Sequence, residues 1–153
     1  MFMYNADGMK KNDSYKSVLA VDWGRKRLGL AVSDTTGTLA RPLDVIEHIS
    51  RRKDAEKILE IAQDHNVGMI IIGVTYDDYR VLTHNGRSAM RLLEEIRDLG
   101  SIQIAAWDEE GSTRAAISSR MDMGSSRKKR KGHLDSIAAA IFLQNFLDSE
   151  SEK

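Results

Sequence analysis

Val18-Leu-Ala-Val-Asp-Trp-Gly-Arg-Lys-Arg-Leu-Gly-Leu-Ala-Val32 is an apolar run closed by a carboxylate, then a glycine-containing basic turn, then a second apolar run. Val18 to Asp22 are small or β-branched and too few for a helix, so they read as a buried strand with the acid at its end. Gly24, Arg25 and Lys26 supply turn chemistry, and Leu28 to Val32 reads as the returning strand of a hairpin. Side chains alternate across a strand, which puts Asp22 on the face of Val18 and Ala20, and Trp23 on the other. An isolated buried carboxylate is costly, so Asp22 must be hydrogen-bonded to turn N–H groups, paired, or bound to a cation.

The rest of the chain extends this hairpin into a sheet. A third strand between Thr38 and Ile46 contains Pro42, which suits an edge strand or a strand start. Short turns join these three strands, as in an antiparallel meander. From Ser50, Ala55, Ile58, Leu59 and Ala62 recur at helical spacing, with Arg51, Arg52, Lys53, Glu56, Lys57 and Glu60 opposite them. Val67 to Val74 is apolar without alternation and reads as a strand buried on both faces. Tyr76 to Gly86 is expected to be a long polar loop. A second helix over Arg87 to Leu99 carries Met90, Leu93, Ile96 and Arg97 at helical spacing and stops at Gly100. Ile102 to Trp107 reads as a fifth strand ending in Asp108, Glu109 and Glu110. Ser112-Thr113 can cap a third helix to about Met123, Ser125 to Gly132 reads as a basic loop, and a final helix runs from His133 to about Leu147. The order predicts an α/β domain: a five-stranded mixed sheet, its first three strands antiparallel, with helices on both faces.

Composition narrows the function classes. The chain has 153 residues, enough for one well-buried domain, and its 23 basic and 23 acidic side chains cancel, so any electrostatic site is local. With no cysteine there is no disulfide framework, thiolate nucleophile or Cys-ligated zinc, and a reducing cytoplasm is the expected compartment. Residues 1–16 lack a continuous apolar core and read as a flexible extension; 17–148 read as the domain and 149–153 as a polar tail. No later apolar run has the length of a membrane helix, so no membrane partner is expected.

Three acids stand out. Asp22 ends the first strand and Asp108 or Glu109 the last. Asp135 shares a helical stripe with Ala139, Phe142 and Phe146, an otherwise apolar row, although a first-turn Asp also suits a helix N-terminus. Phe142 and Phe146 themselves read as core. Clustered carboxylates without cysteine or a spaced histidine pair favour Mg²⁺ or Mn²⁺. Two such ions about 4 Å apart can hold the attacking water and the leaving oxygen of a phosphodiester displacement. Arg127, Lys128, Lys129, Arg130 and Lys131, just ahead of Asp135, read as a phosphate-binding run rather than a merely solvated face. His48, His65, His84 and His133 show no ligand spacing and receive no role.

These residues together resemble the YqgF/RuvX family, a compact branch of the RNase H-like superfamily, from about Ser17 to Asp148. The resemblance rests on Asp22-Trp-Gly-Arg-Lys-Arg-Leu-Gly-Leu-Ala31, on Trp107-Asp-Glu-Glu-Gly-Ser-Thr113, and on Ser126-Arg-Lys-Lys-Arg-Lys131 leading into Leu134-Asp-Ser-Ile-Ala-Ala-Ala-Ile141. It implies the RNase H-like fold and a metal-dependent nuclease that processes precursor 16S ribosomal RNA. An older assignment for the family is Holliday-junction resolution, which needs a two-fold dimer. The family's acids fall on Asp22, Asp135 and the pair Asp108 and Glu109, with Glu109 the favoured ligand. That makes Asp22, Glu109 and Asp135 the catalytic set, with Asp108 a further candidate ligand. Arg25, Lys26 and the Arg127 to Lys131 run are the nucleic-acid contacts, and structured RNA, or a DNA junction, is the partner.

Two departures bear on substrate preference. Glu110 and Gly111 stand where the family has Arg and an apolar residue, placing an anion beside the site. Gly73-Val-Thr75 replaces the family's Gly-Leu-Pro. Two other classes compete: a catalytically silent RNA-binding protein, and an actin-like nucleotide-binding module, whose phosphate hairpin the first motif also resembles.

Overall fold

The computed structural model describes residues 16–108 and 127–152, with side chains from Leu134 onward in the second segment. The strands are β1 (Ser17–Trp23), β2 (Arg27–Ser33), β3 (Ala40–Glu47), β4 (Val67–Val74) and β5 (Gln103–Asp108). The helices are α1 (Arg51–Asp64), α2 (His84–Leu99) and α3 (Arg127–Ser151). The strands form one five-stranded sheet in the order β3-β2-β1-β4-β5. β1–β2 and β2–β3 pair antiparallel, and β1–β4 and β4–β5 pair parallel, as the sequence predicts.

Strand alternation sorts the core into two layers. Leu19, Val21, Ile70, Ile72 and Ala106 point to one face and pack with Ala55 and Ile58 of α1 and Leu92, Leu93 and Ile96 of α2. Val18, Ala20, Ala31, Ile71 and Ala105 point to the other and pack with Ala139, Phe142, Leu143 and Phe146 of α3. Both phenylalanines are fully buried, so their predicted core role holds. α3 is also tied to the sheet edge: the Gln144 side chain accepts from Ala40 N (2.9 Å) and donates to Thr38 O (2.9 Å). Pro42 lies on edge strand β3, where the β2–β3 register shifts between Leu30 and Ala31. A missing N–H is tolerated at such a bulge.

Several boundaries differ from the sequence reading. α2 begins at His84 because Thr83 caps it, its hydroxyl accepting from Gly86 N at 3.0 Å, so the loop after β4 is shorter than expected. The buried stripe of α2 includes Ala89 and Leu92, while Arg97 is exposed. The basic run is not a loop: Arg127 to Gly132 form the first turns of α3. Arg and Lys are good helix formers, and one Gly does not outweigh five of them. The polar end of the chain is helical as far as Ser151. The helix expected at Ser112 to Met123, and the extension before Lys16, lie outside the described residues. Among the described residues no helix is long and apolar enough to cross a membrane.

Candidate active site

β1 runs through the middle of the sheet and ends at the β1–β2 turn. Gly24 makes this turn possible, since a Cβ there would sit 2.4 Å from the carbonyl oxygen of Arg27. Arg25 and Lys26 at its tip are exposed. Behind the turn, Asp22 pairs with Gly29 in the antiparallel ladder. Residues directly opposite in such a pair share a face, so Asp22 and Gly29 both look toward α3.

Gly29 is where α3 meets that face. A Cβ built on it would lie 2.0 Å from the carbonyl oxygen of Asp135 and 3.0 Å from Ser136 N. The backbone of α3 at Asp135 therefore rests directly on β2, beside Asp22. The missing side chain of Gly29 thus lets the helix carrying Asp135 settle on the ladder partner of Asp22.

Arg27 completes this corner. Two residues before Gly29, it lies on the same face of β2. Its Nε donates to Asp135 Oδ2 at 3.1 Å, with the two side chains 27% and 35% exposed. The sequence reading took the neighbouring Arg25 and Lys26 as the functional cations and passed over Arg27. Strand alternation counted back from Gly29 is the signal that finds it. A part-exposed ion pair contributes little to stability. Arg27→Gln is accordingly expected to lower unfolding free energy by no more than about 1 kcal/mol in urea titrations; a larger loss would make Arg27 a structural rather than a positioning residue.

The acids at the end of β5 separate by the same alternation. Trp107 packs edge-on against Phe146 of α3, ring centroids 5.2 Å apart. Asp108, the next residue, is therefore on the opposite face, that of α1 and α2. There it accepts from Arg80 Nη1 at 3.1 Å, and the guanidinium of Arg80 also lies over the Tyr76 ring at 4.7 Å. Asp108 is thus not brought onto the Asp22–Asp135 face. Glu109 lies outside the described residues. The side chains of Arg127 to Lys131 are also outside them, although their backbone places the run on α3 directly before Asp135. Among the described residues no group of three or more metal-ligating side chains assembles.

The fold and this corner define a class. A mixed five-stranded sheet in the order β3-β2-β1-β4-β5, its first three strands antiparallel and helices on both faces, is the RNase H-like fold. The profile of the family described as "RuvX: Holliday junction resolvase" matches residues 16–149, and the chain belongs to that nuclease family. It is 38% identical to a Thermoanaerobacter pseudethanolicus protein named "Putative pre-16S rRNA nuclease", over 89% of this chain and 99% of that one. A protein of the same name from Endomicrobium trichonymphae is 32% identical, over 89% of this chain and 98% of that one. Among solved structures, Thermus thermophilus RuvC in complex with Holliday junction substrate shares the fold, with a TM-score of 0.53 at 13% identity. That alignment covers 89% of this chain and 96% of RuvC.

Proposed function

We propose that the protein is a metal-dependent endonuclease that hydrolyses phosphodiester bonds of structured RNA, processing the precursor of 16S ribosomal RNA in the cytoplasm. The observation that carries the reading is the packing of α3 at Asp135 onto Gly29, the ladder partner of Asp22, which supports the two acids sharing one site. Its context is a family whose relatives bear the name of that nuclease.

Asp22 and Asp135 offer oxygen donors from two rigid elements on one face, the donor chemistry of Mg²⁺ or Mn²⁺. Glu109, which lies outside the described residues, is the proposed third ligand because the family's middle acidic pair falls on Asp108 and Glu109. A bound divalent cation supplies the Lewis acidity that activates water and stabilises the leaving oxygen. Arg27 orients Asp135 and keeps a positive charge beside the acids, where the substrate phosphate must approach.

The basic run grips the nucleic-acid backbone together with Arg25 and Lys26. Five consecutive cations in the first turns of a helix repel one another and oppose the helix dipole. A bound polyanion relieves both. Neutralising all five is expected to weaken binding and flatten its salt dependence by about 0.7 in the log–log slope for each lost contact on a single strand. An unchanged slope returns the run to an ordinary solvated face.

The family description gives a second reading, cleavage of a four-way DNA junction with the same acids. Symmetric cutting of two strands needs two active sites related by a two-fold axis. Parallel Mn²⁺-dependent cleavage assays on a precursor 16S RNA fragment and on a DNA junction, with the oligomeric state measured at the working concentration, decide between them. Cleavage of the RNA by a monomer supports RNA processing; paired cuts in the junction alone replace it with resolution. Absence of metal-dependent cleavage of either leaves the silent RNA-binding reading.

A further inference from the structure

The opposite face of the same sheet end holds a second cluster of functional groups. Trp23 follows Asp22 and points to the α1/α2 layer. It lines a small cavity of about 180 Å³ with His48, Arg51, Ser88 and Leu92. The indole and the His48 imidazole meet edge to face, centroids 5.9 Å apart at 64°, making two walls of the cavity.

His48 is held in place twice over. Its backbone N–H donates to the carbonyl of Lys26 in the β1–β2 turn at 2.9 Å. Its ring Nδ1 is bonded to Asp54 Oδ2, and the other oxygen of that carboxylate accepts from Ile49 N at 3.0 Å. Asp54 is only 2% exposed, so its carboxyl oxygens have to be hydrogen-bonded from within, and the imidazole and Ile49 N do this. With Nδ1 committed, Nε2 is the ring edge left to serve as a hydrogen-bonding group. Arg51 is exposed and has no ion pair among the described residues. An aromatic face, an oriented imidazole and an uncommitted guanidinium are the three groups that recognise a base, a sugar or base edge, and a phosphate.

The cavity falls well below the roughly 300–1,000 Å³ of sites that enclose a whole small molecule. It does not enclose a cofactor, but with exposed Arg51 at its rim it can receive part of one nucleotide of a passing strand. A larger groove of about 430 Å³ between β3 and α1 has more acids, Glu47, Asp54, Glu56 and Glu60, than bases, Lys53 and Lys57, and so does not attract a nucleic acid.

We propose that the Trp23–His48–Arg51 cavity is a subsite for one unpaired nucleotide of the nucleic-acid strand being cut. Its base stacks on Trp23, its ribose or base edge meets His48 Nε2, and its phosphate pairs with Arg51. The inference rests on the nuclease reading for the identity of the strand. Because Asp22 and Trp23 are adjacent residues on opposite faces, a strand passing over the β1–β2 turn reaches both sites. Substrate selection by an unpaired nucleotide next to the cut follows.

The test is binding without metal, so that it does not depend on cleavage. A short fluorescein-labelled single-stranded oligoribonucleotide is titrated into the full chain in EDTA and followed by anisotropy. Arg51→Gln and His48→Gln are each expected to weaken it by about tenfold. Arg51 is exposed, so its variant is expected to fold; His48→Gln is checked by circular dichroism. In a Trp107→Phe background, which leaves Trp23 as the sole remaining one of two tryptophans, the single strand should quench emission and a blunt duplex should not. Unchanged affinity in both variants, or emission unmoved at saturation, overturns the subsite and leaves the nuclease reading intact. No oligonucleotide binding together with no metal-dependent cleavage overturns both.

Discussion

Asp22→Asn is expected to reduce metal-dependent cleavage by more than about 100-fold while the protein stays folded and still binds nucleic acid. The size follows from what is removed. Residues that merely orient metal ligands already cost 10- to 100-fold when replaced, and a ligand oxygen should cost more. Asn keeps the shape of the side chain and its capacity to accept turn hydrogen bonds, so the strand end should survive. It removes the negative charge that attracts the cation. Removing one of two neighbouring acids also relieves their mutual repulsion, so the melting temperature should not fall. Two measurements separate the readings: Mn²⁺ binding by calorimetry, expected to weaken in Asp22→Asn, and oligonucleotide affinity without metal, expected to hold. A variant that cuts at the wild-type rate in Mn²⁺ would remove Asp22 from the site.

Much of the architecture was legible because it is written in local periodicities. The short apolar runs of β1 and β2 on either side of a glycine turn, the uninterrupted apolar run of β4 and the stripe of α1 each determine an element without reference to the others. The faces of Asp22 and Trp23 followed from alternation alone, and the two core layers bear them out. What sequence could not display is contact between elements. The Arg27–Asp135 pair joins residues at the start of β2 and near the start of α3, and neither position marks the other. Asp54 carries no signal in the sequence, yet it is buried with the ring of His48, six residues earlier, turned back onto it. His48 was set aside for lack of metal-ligand spacing, and its partner is a carboxylate across a helix start. The density of like charge in the basic run suggests a loop, yet Arg and Lys are good helix formers and the chain follows that propensity.

Gly29→Ala is the substitution that tests the meeting of the acids directly. The added methyl would stand 2.0 Å from the carbonyl oxygen and 2.3 Å from the carbonyl carbon of Asp135, and these backbone atoms cannot swing aside as a side-chain end can. Ala gains from a less flexible unfolded chain, by about 0.4–1 kcal/mol. Overpacking of this kind costs about 1–3 kcal/mol, so the net effect is destabilising. α3 cannot lift as a whole to escape, because Phe142 and Phe146 are buried in the sheet and Gln144 is bonded to Thr38 and Ala40. The relief must come from the part of α3 around Asp135, tilting away from Asp22. A displacement of about 1 Å at a reacting centre can cost about 100-fold in rate, so cleavage should fall by about that factor even where the variant is fully folded. Asp22→Asn should lose activity with its melting temperature kept, whereas Gly29→Ala should lose both. Wild-type stability and wild-type cleavage in Gly29→Ala would mean that α3 does not rest on β2 at this point, and the two acids would have no reason to share a cation.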